Sequence, residues 1–358
     1  PLYFAPTNFF APPAGPPATT RLDPVAVPLA DGTVLLAGGG DGAGVVADAE
    51  LFSPGGATFA PAAMALNVPR QGAEAVLVPN VGALVTGGRD GNGQPIARAE
   101  VFDEAQRQFL SLPDDARLDA RFGHRAVLLA DGRTVLISGG QSQAAKALTS
   151  TVFIKVQPGG VAPISAGPPL STARYQHAAV VAVGVPVMIG GYGIDGVPLA
   201  SIEALRPADG AQPAAFVPIA SLRFARAEAT ASLLLDGSIL IVGGAGDAAG
   251  TPRDDAELYN PITRTTSILQ LAAARRGHTA TVLPDGRVLI AGGVGLDQAG
   301  NPVALSSVEL FSPSAGDFVS ERPLGAPRAN HVAVPLCDGT VLVVGGGPGA
   351  EIYTPPAS

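Results

Sequence analysis

Tryptophan is absent, cysteine occurs once and methionine twice. Lysine is confined to Lys146 and Lys155, against 20 arginines. Each scarcity excludes something. The lone Cys337 cannot form an internal disulfide, so no covalent staple is available and the redox compartment stays open. Without Trp, and with 5 Tyr, there is little from which to build a base-stacking platform for nucleic acid. A net charge of −8 denies the basic footprint that nucleic-acid binding needs. No apolar run reaches membrane-spanning length, because an Asp-Gly or Gly-Gly pair interrupts each one. The arginine bias reads as a GC-rich bacterial genome.

What is abundant is glycine, with 46 residues, and proline, with 34. Their placement is periodic. Gly-Gly pairs begin at Gly38, Gly87, Gly139, Gly190, Gly243, Gly292 and Gly345, with spacings of 49, 52, 51, 53, 49 and 53 residues. A period near fifty marks a propeller or solenoid built from one repeated unit. One closed ring then absorbs all 358 residues, where length alone suggests two or three domains.

Each unit carries the same signals. Asp31-Gly32, Asp131-Gly132, Asp236-Gly237, Asp285-Gly286 and Asp338-Gly339 lie between two apolar runs. Asp-Gly in that setting predicts a hairpin, with a two-residue type I′ turn as the expected form. Two units substitute Asn80-Val81-Gly82 and Val183-Gly184-Val185. The run before each Gly-Gly is apolar at successive positions, as in Ile239-Leu240-Ile241-Val242, which predicts a strand covered on both faces. Third strands are expected at Glu50-Leu51-Phe52, Glu100-Val101-Phe102, Glu257-Leu258-Tyr259 and Glu309-Leu310-Phe311. Fourth strands are expected around Phe59, Phe109, Phe216 and Phe318. Four strands per unit make a propeller blade.

The expected fold is an all-β, seven-bladed β-propeller forming a single domain over residues 1–358. Cutting before each recurrent arginine gives units 21–69, 70–120, 121–173, 174–225, 226–274 and 275–327. The remnant 328–358 stops after a third strand, and residues 1–20 contain Asn8-Phe9-Phe10-Ala11. The N-terminal strand is therefore expected to complete the seventh blade and remove an open sheet edge.

Arg-x-x-His, Asp-Gly, Gly-Gly and Glu-Leu-Tyr/Phe followed by Pro resemble the kelch repeat, especially its bacterial form. The clearest copy runs from Arg275 to Gly293, preceded by Glu257-Leu258-Tyr259-Asn260-Pro261. The fourth-strand Trp common in kelch repeats is missing, and Phe59, Phe109, Phe216 and Phe318 stand in its place. The resemblance implies the seven-bladed ring. It leaves function open, because the family includes sugar oxidases, sialic-acid isomerising enzymes and many binding modules. The oxidase pattern is not reproduced: Cys337 is a turn residue, and Tyr175 precedes His177 by two positions.

The chemistry-bearing residues follow the repeat. All four histidines, His124, His177, His278 and His331, occupy one repeat position. Two from neighbouring blades are spaced to share a metal, but a repeat-consensus histidine more often bonds a neighbouring strand. The seven arginines are Arg21, Arg70, Arg121, Arg174, Arg226, Arg275 and Arg328. Either they form a guanidinium ring for carboxylates or phosphates, or each pairs with its own unit's third-strand acid. Those acids are Glu50, Glu100, Glu203, Glu257, Glu309 and Glu351. The third unit has Thr151 instead, which makes Arg121 with Arg125 the candidate anion-binding spot. Arg174 and Arg276 complete the candidate binding set. Asp-rich loops at Asp41-Gly42, Asp90-Gly91-Asn92-Gly93, Asp195-Gly196, Asp247, Asp254-Asp255 and Asp297 match a fragment of a calcium loop and read more simply as turn formers.

No acyl-transfer, P-loop or dinucleotide motif is present. The expectation is a non-catalytic scaffold presenting its loops or pore mouth to a protein or carbohydrate partner, without a cofactor. Calcium or a His-bound metal is the exception to test. It is expected to be monomeric, to bind no nucleic acid, to have no membrane span, and to be exported, whether periplasmic, on the cell surface or extracellular. The alternatives are a sugar-active enzyme of kelch type with a His/Arg pore site, and a structural module of a larger exported protein.

Overall fold

A computed structural model describes residues 8–158 and 163–356. Seven four-stranded antiparallel sheets follow one another along the chain. Blade 1 runs Val25–Pro28, Val34–Ala37, Asp48–Ser53 and Thr58–Ala65, each strand pairing with the next. Blades 2 to 6 repeat that meander. Their first strands are Glu74–Val78, Arg125–Leu128, Ala178–Ala182, Thr230–Leu233 and Thr279–Val282. Blade 6 adds a small hairpin, Val294–Leu296 with Pro302–Ala304, after its Gly-Gly pair. First strands of successive blades touch all the way round, including blade 7 against blade 1, so they line a central channel. The described residues are therefore a closed seven-bladed propeller.

The second strands show why this sequence stacks sheets. Val34, Leu35, Leu36 and Ala37 are all fully buried. Alternate side chains of a strand point to opposite faces. Leu35 and Ala37 pack with Val85 and Phe102 of blade 2. Val34 and Leu36 pack with Leu342 and Val344 of blade 7. The core is thus a set of layers between blades, and successive apolar residues are needed because both faces are covered.

Closure is achieved as the terminal remnants require. Phe9, Phe10 and Ala11 pair antiparallel with Thr354, Tyr353 and Ile352. Phe10 stacks on Tyr353 with ring centroids 4.9 Å apart. The same third-to-fourth-strand aromatic pair recurs as Phe52–Phe59 at 4.9 Å, Phe102–Phe109 at 5.2 Å and Phe311–Phe318 at 5.1 Å. The N-terminal strand therefore brings the missing aromatic as well as the missing edge.

The Asp-Gly turns differ from expectation. Only the glycine of each pair has positive φ, as at Gly32 with φ 82°. Leu29 N–H donates to Thr33 O at 2.8 Å and Gly32 N–H donates to Leu29 O at 3.0 Å. This is a three-residue loop closed by a glycine bulge. Asp31 keeps ordinary backbone geometry and uses Oδ1 to accept from Thr33 N–H at 2.9 Å. The aspartate is there for its side chain, which bonds backbone two residues on. The two-residue turn with positive φ at both centres occurs at Val183 (51°) and Gly184 (78°), in a unit without Asp-Gly.

Removing residues 1–20 exposes the third strand of blade 7 and unstacks Tyr353. The melting temperature is expected to fall by several degrees, with aggregation on heating. An unchanged melting curve would contradict closure by this strand.

Candidate functional site

The seven repeat arginines are turned into the blades. Each is buried, between 0% and 2% exposed. Six pair with the acid of their own blade: Arg21–Glu50 at 2.9 Å, Arg70–Glu100 at 2.6 Å, Arg174–Glu203 at 2.6 Å, Arg226–Glu257 at 2.9 Å, Arg275–Glu309 at 2.7 Å and Arg328–Glu351 at 2.8 Å. Each of these acids also accepts the backbone N–H lying three residues before its arginine, from Ala18, Asn67, Ser171, Arg223, Ala272 and Gly325. The carboxylate therefore clamps the chain where it enters the blade.

The Gly-Gly pair completes the joint. Arg Nη1 donates to the carbonyl of the first glycine of its own blade, as from Arg70 to Gly87 O at 2.9 Å. The arginine's own carbonyl accepts from the second glycine of the preceding blade. That bond runs from Gly39 to Arg70, Gly88 to Arg121, Gly140 to Arg174, Gly191 to Arg226, Gly244 to Arg275, Gly293 to Arg328 and Gly346 to Arg21, at 2.8–3.1 Å. A Cβ on the first glycine would sit 2.4 Å from Arg174 O at Gly139 and 2.3 Å from Arg226 O at Gly190. Positive φ and this close approach leave room for glycine alone.

The third unit departs from expectation. Arg121 has an acid after all: Asp119, two residues upstream, at 3.2 Å. Its Nη2 also donates to Ser150 Oγ at 3.1 Å, and Nη1 to Gly139 O at 2.8 Å. An acid outside the repeat position fills the role. Burial, opposed by Asp119, pushes the Arg121 guanidinium down to about 10, so it stays charged at neutral pH.

The histidines are likewise internal. Each Nε2 bonds a hydroxyl of the preceding blade: His124 to Thr86 at 2.9 Å, His177 to Ser138 at 3.0 Å, His278 to Thr230 at 2.9 Å and His331 to Thr279 at 2.9 Å. Their imidazoles sit against the first glycine of the preceding blade's Gly-Gly pair. Burial first, and the adjacent arginines second, hold His124 and His177 well below the ordinary imidazole range. His331 is pushed down to about 3 by burial and Arg328. Neutral, hydrogen-bonded rings join the blades. His278 and His331 also border the channel cavity.

The side chains that the joints do not consume gather at one mouth of the channel. The residues two places after each arginine, Asp23, Gly72, Gly123, Gln176, Glu228, Gly277 and Asn330, all have φ between 49° and 62°. Four of these seven are not glycine, and left-handed backbone costs such residues energy. Within this ring lies a cavity of about 220 Å³ lined by Asp23, Glu74, Arg125, Gln176, Glu228 and Asn330, with Phe122 at its rim. Arg125 is paired with Glu74 and donates Nε to His177 O at 2.7 Å. Arg276 pairs with Glu228 at 2.7 Å, and Glu228 also accepts from Tyr192 OH at 3.1 Å. Tyr192 stacks on Tyr175, centroids 5.2 Å apart.

Two charged groups here have no ion-pair partner among the described residues. Asp23 has no ion-pair or side-chain hydrogen-bond partner among the described residues. Burial raises its pKa, with the Arg89 charge opposing and the Glu228 charge adding. Arg89 lies over the Phe122 ring at 3.6 Å and donates to Gln141 Oε1 at 3.3 Å, without an acid in ion-pair range among the described residues. Arg125 and Arg276 were legible as surplus arginines. Asp23, Arg89, Tyr192 and Glu228 were not, although the position two after each repeat arginine could have marked Asp23 and Glu228.

Asp254-Asp255 is not a turn. Both lie in the strand Arg253–Asn260, where Asp255 is buried and pairs with Arg226 at 2.8 Å and Arg253 at 2.7 Å, because the blade's entry arginine needs acid. Three of the other Asp-rich loops are turns. Asp41 Oδ1 accepts from Ala43 and Gly44, Asp90 Oδ1 from Asn92 and Gln94, and Asp297 Oδ1 from Ala299 and Asn301. Among the described residues no three His, Cys, Asp or Glu side chains are grouped to hold a metal ion. No model of a known protein family matches the chain, and no curated protein matches it.

Two tests follow from the joints. Glu100→Ala leaves Arg70 buried and unpaired and strips two backbone donors. It is expected to cost about 3–5 kcal/mol, whereas Asp114→Ala, at an exposed pair with Arg98, costs under about 1 kcal/mol; urea unfolding of both variants checks this. The histidines set a pH dependence. Their folded pKa values lie below the unfolded value near 6.5, so the unfolded chain binds more protons below that pH. Stability is complete above pH 6.5 and falls as pH drops, by about 1.4 kcal/mol per unit for each histidine. A melting temperature that is flat from pH 7 to 5 would contradict it.

Proposed function

We propose that this protein is a non-catalytic binding propeller of the kelch kind, whose ligand seats at the channel mouth formed by Asp23, Arg89, Phe122, Tyr175, Gln176 and Glu228. The observation carrying this reading is the division of labour among polar groups. The repeat arginines, acids and histidines are spent on the joints between blades, while Asp23 lines a cavity without a side-chain partner among the described residues and Arg89, whose charge acts on Asp23, has no acid in ion-pair range among them. A desolvated carboxylate on the cavity wall beside the Gln176 and Asn330 amides asks for a partner with both donors and acceptors. A glycan end supplies hydroxyls of both kinds, and aromatic rings beside them offer the apolar face of a sugar a surface. A polar loop of a protein partner offers the same groups through its backbone. The cavity is smaller than the roughly 300–1,000 Å³ of drug-sized sites, which fits one sugar ring or one loop tip.

The test is calorimetric titration with neutral oligosaccharides and with a library of looped peptides. Asp23→Asn and Arg89→Ala are expected to weaken the best ligand by about tenfold or more while leaving the melting temperature within a degree or two of the parent. A ligand that binds equally well to both variants would move the site away from the mouth.

A further inference from the structure

One blade breaks the pattern at the channel mouth. In blades 1 to 5 the residue after the Gly-Gly pair bridges back onto its own loop: Gly40 to Val45, Arg89 to Pro95, Gln141 to Ala147, Tyr192 to Pro198 and Ala245 to Pro252. The same residues bridge to the position after each entry arginine, as Gly40 does to Leu22. Blade 6 raises its longer hairpin, Val294–Leu296 on Pro302–Ala304, at this place. Six small hairpins therefore stand around the mouth. Blade 7 has none among the described residues. Between the second glycine and the third-strand glutamate lie 10, 11, 11, 12 and 15 residues in blades 1, 2, 4, 5 and 6, and 4 in blade 7.

The short turn of blade 7 is pinned flat. Arg328 Nη2 donates to Pro348 O at 3.1 Å, and Ala329 N–H donates to Gly346 O at 3.1 Å. A Cβ on Gly347 would sit 2.7 Å from Pro327 O. The result is a gap in the ring of hairpins, between those of blades 6 and 1. Asn330 enters blade 7 and Asp23 enters blade 1, so both lie at the inner end of the gap, and both line the cavity. Directly across a ring of seven, blades 3 and 4 face blade 7. They carry Phe122 on the cavity rim and the stacked Tyr175 and Tyr192.

We propose that the mouth takes the end of an oligosaccharide whose remaining rings leave through the blade 7 gap. This rests on the binding role proposed above and adds the ligand's class and its path. The gap is an open lane from the rim to the cavity, where the other six blades each raise a hairpin. A chain end in that lane meets Asp23, Gln176 and Asn330, whose carboxylate and amides accept from and donate to hydroxyls. It also faces the aromatic wall, against which the apolar face of a sugar ring packs. A polypeptide added as a strand needs unpaired backbone groups along its path. The floor of the gap offers few. Gly346 N–H donates to Arg21 O, Gly346 O accepts from Ala329, Pro348 O accepts from Arg328, and Pro348 has no N–H. Recognition falls to side chains at the inner end, which suits a sugar chain.

The test screens the full chain on an array of neutral oligosaccharides, then measures the strongest binder and its single-ring end fragment by calorimetry. The oligosaccharide is expected to bind about tenfold or more tighter than the single ring. Pro348→Trp, at an exposed position of the gap, is expected to weaken the oligosaccharide by about tenfold or more and to leave the single ring unchanged, with the melting temperature retained. Ala249→Trp, exposed on the intact hairpin of blade 5, changes neither. If Pro348→Trp disturbs folding, Pro348→Lys decides. An oligosaccharide lost with Asp23→Asn but indifferent to the gap variants overturns the path and leaves the mouth as the binding site. One indifferent to Asp23→Asn as well overturns both. An array without a binder overturns the proposal, even if looped peptides bind at the mouth.

Discussion

One arginine fastens each blade to the last. Its guanidinium is held inside its own blade, by a carboxylate and by the first glycine's carbonyl. Its backbone carbonyl meanwhile accepts from the second glycine of the preceding blade. Both halves of one residue thus serve as the fastener. A buried guanidinium without a partner is costly, and a paired one is near neutral in stability. Its value lies in geometry: the carbonyl is presented at one fixed point, seven times round the ring. Glycine follows from that constraint, because a Cβ would collide with the same carbonyl.

The ring consumes the polar residues of the repeat positions. Seven arginines, six glutamates and four histidines are turned inward, and neutral imidazoles bridge blades through hydroxyls. On the binding function proposed here, what is left for recognition is whatever breaks the sevenfold pattern. At the channel mouth this is Asp23, Arg89, Phe122 and the Tyr175–Tyr192 pair. Rigid scaffold and irregular exception are separated position by position, which is how a repeat fold carries a specific surface.

The architecture was legible because its causes are local and periodic. Gly-Gly, Asp-Gly and the apolar runs each have one physical reading, and seven copies reinforce it. Closure was legible from the complementary remnants at the two termini. The pairing of each arginine with its blade's glutamate was legible from their matched occurrence. Other features resisted. The type of turn at Asp-Gly depends on which residue takes positive φ, and the dipeptide does not settle that; the aspartate serves through its side chain. Asp119 as the partner of Arg121 lies outside the repeat position, so no periodic signal marks it. The mouth assembles Asp23, Arg89 and Glu228 from three blades, far apart in sequence, and only the closed ring brings them together.

The account rests on the seven glycine-to-arginine joints acting as one closed system. Native-state hydrogen exchange on the amides of Gly39, Gly88, Gly140, Gly191, Gly244, Gly293 and Gly346 tests that directly. They are expected to exchange together, at the slow rate of global unfolding, including Gly346, which joins the last blade to the first. If Gly346 exchanged at the rate of a surface loop while the other six stayed protected, the ring would be open at that joint and the account contradicted.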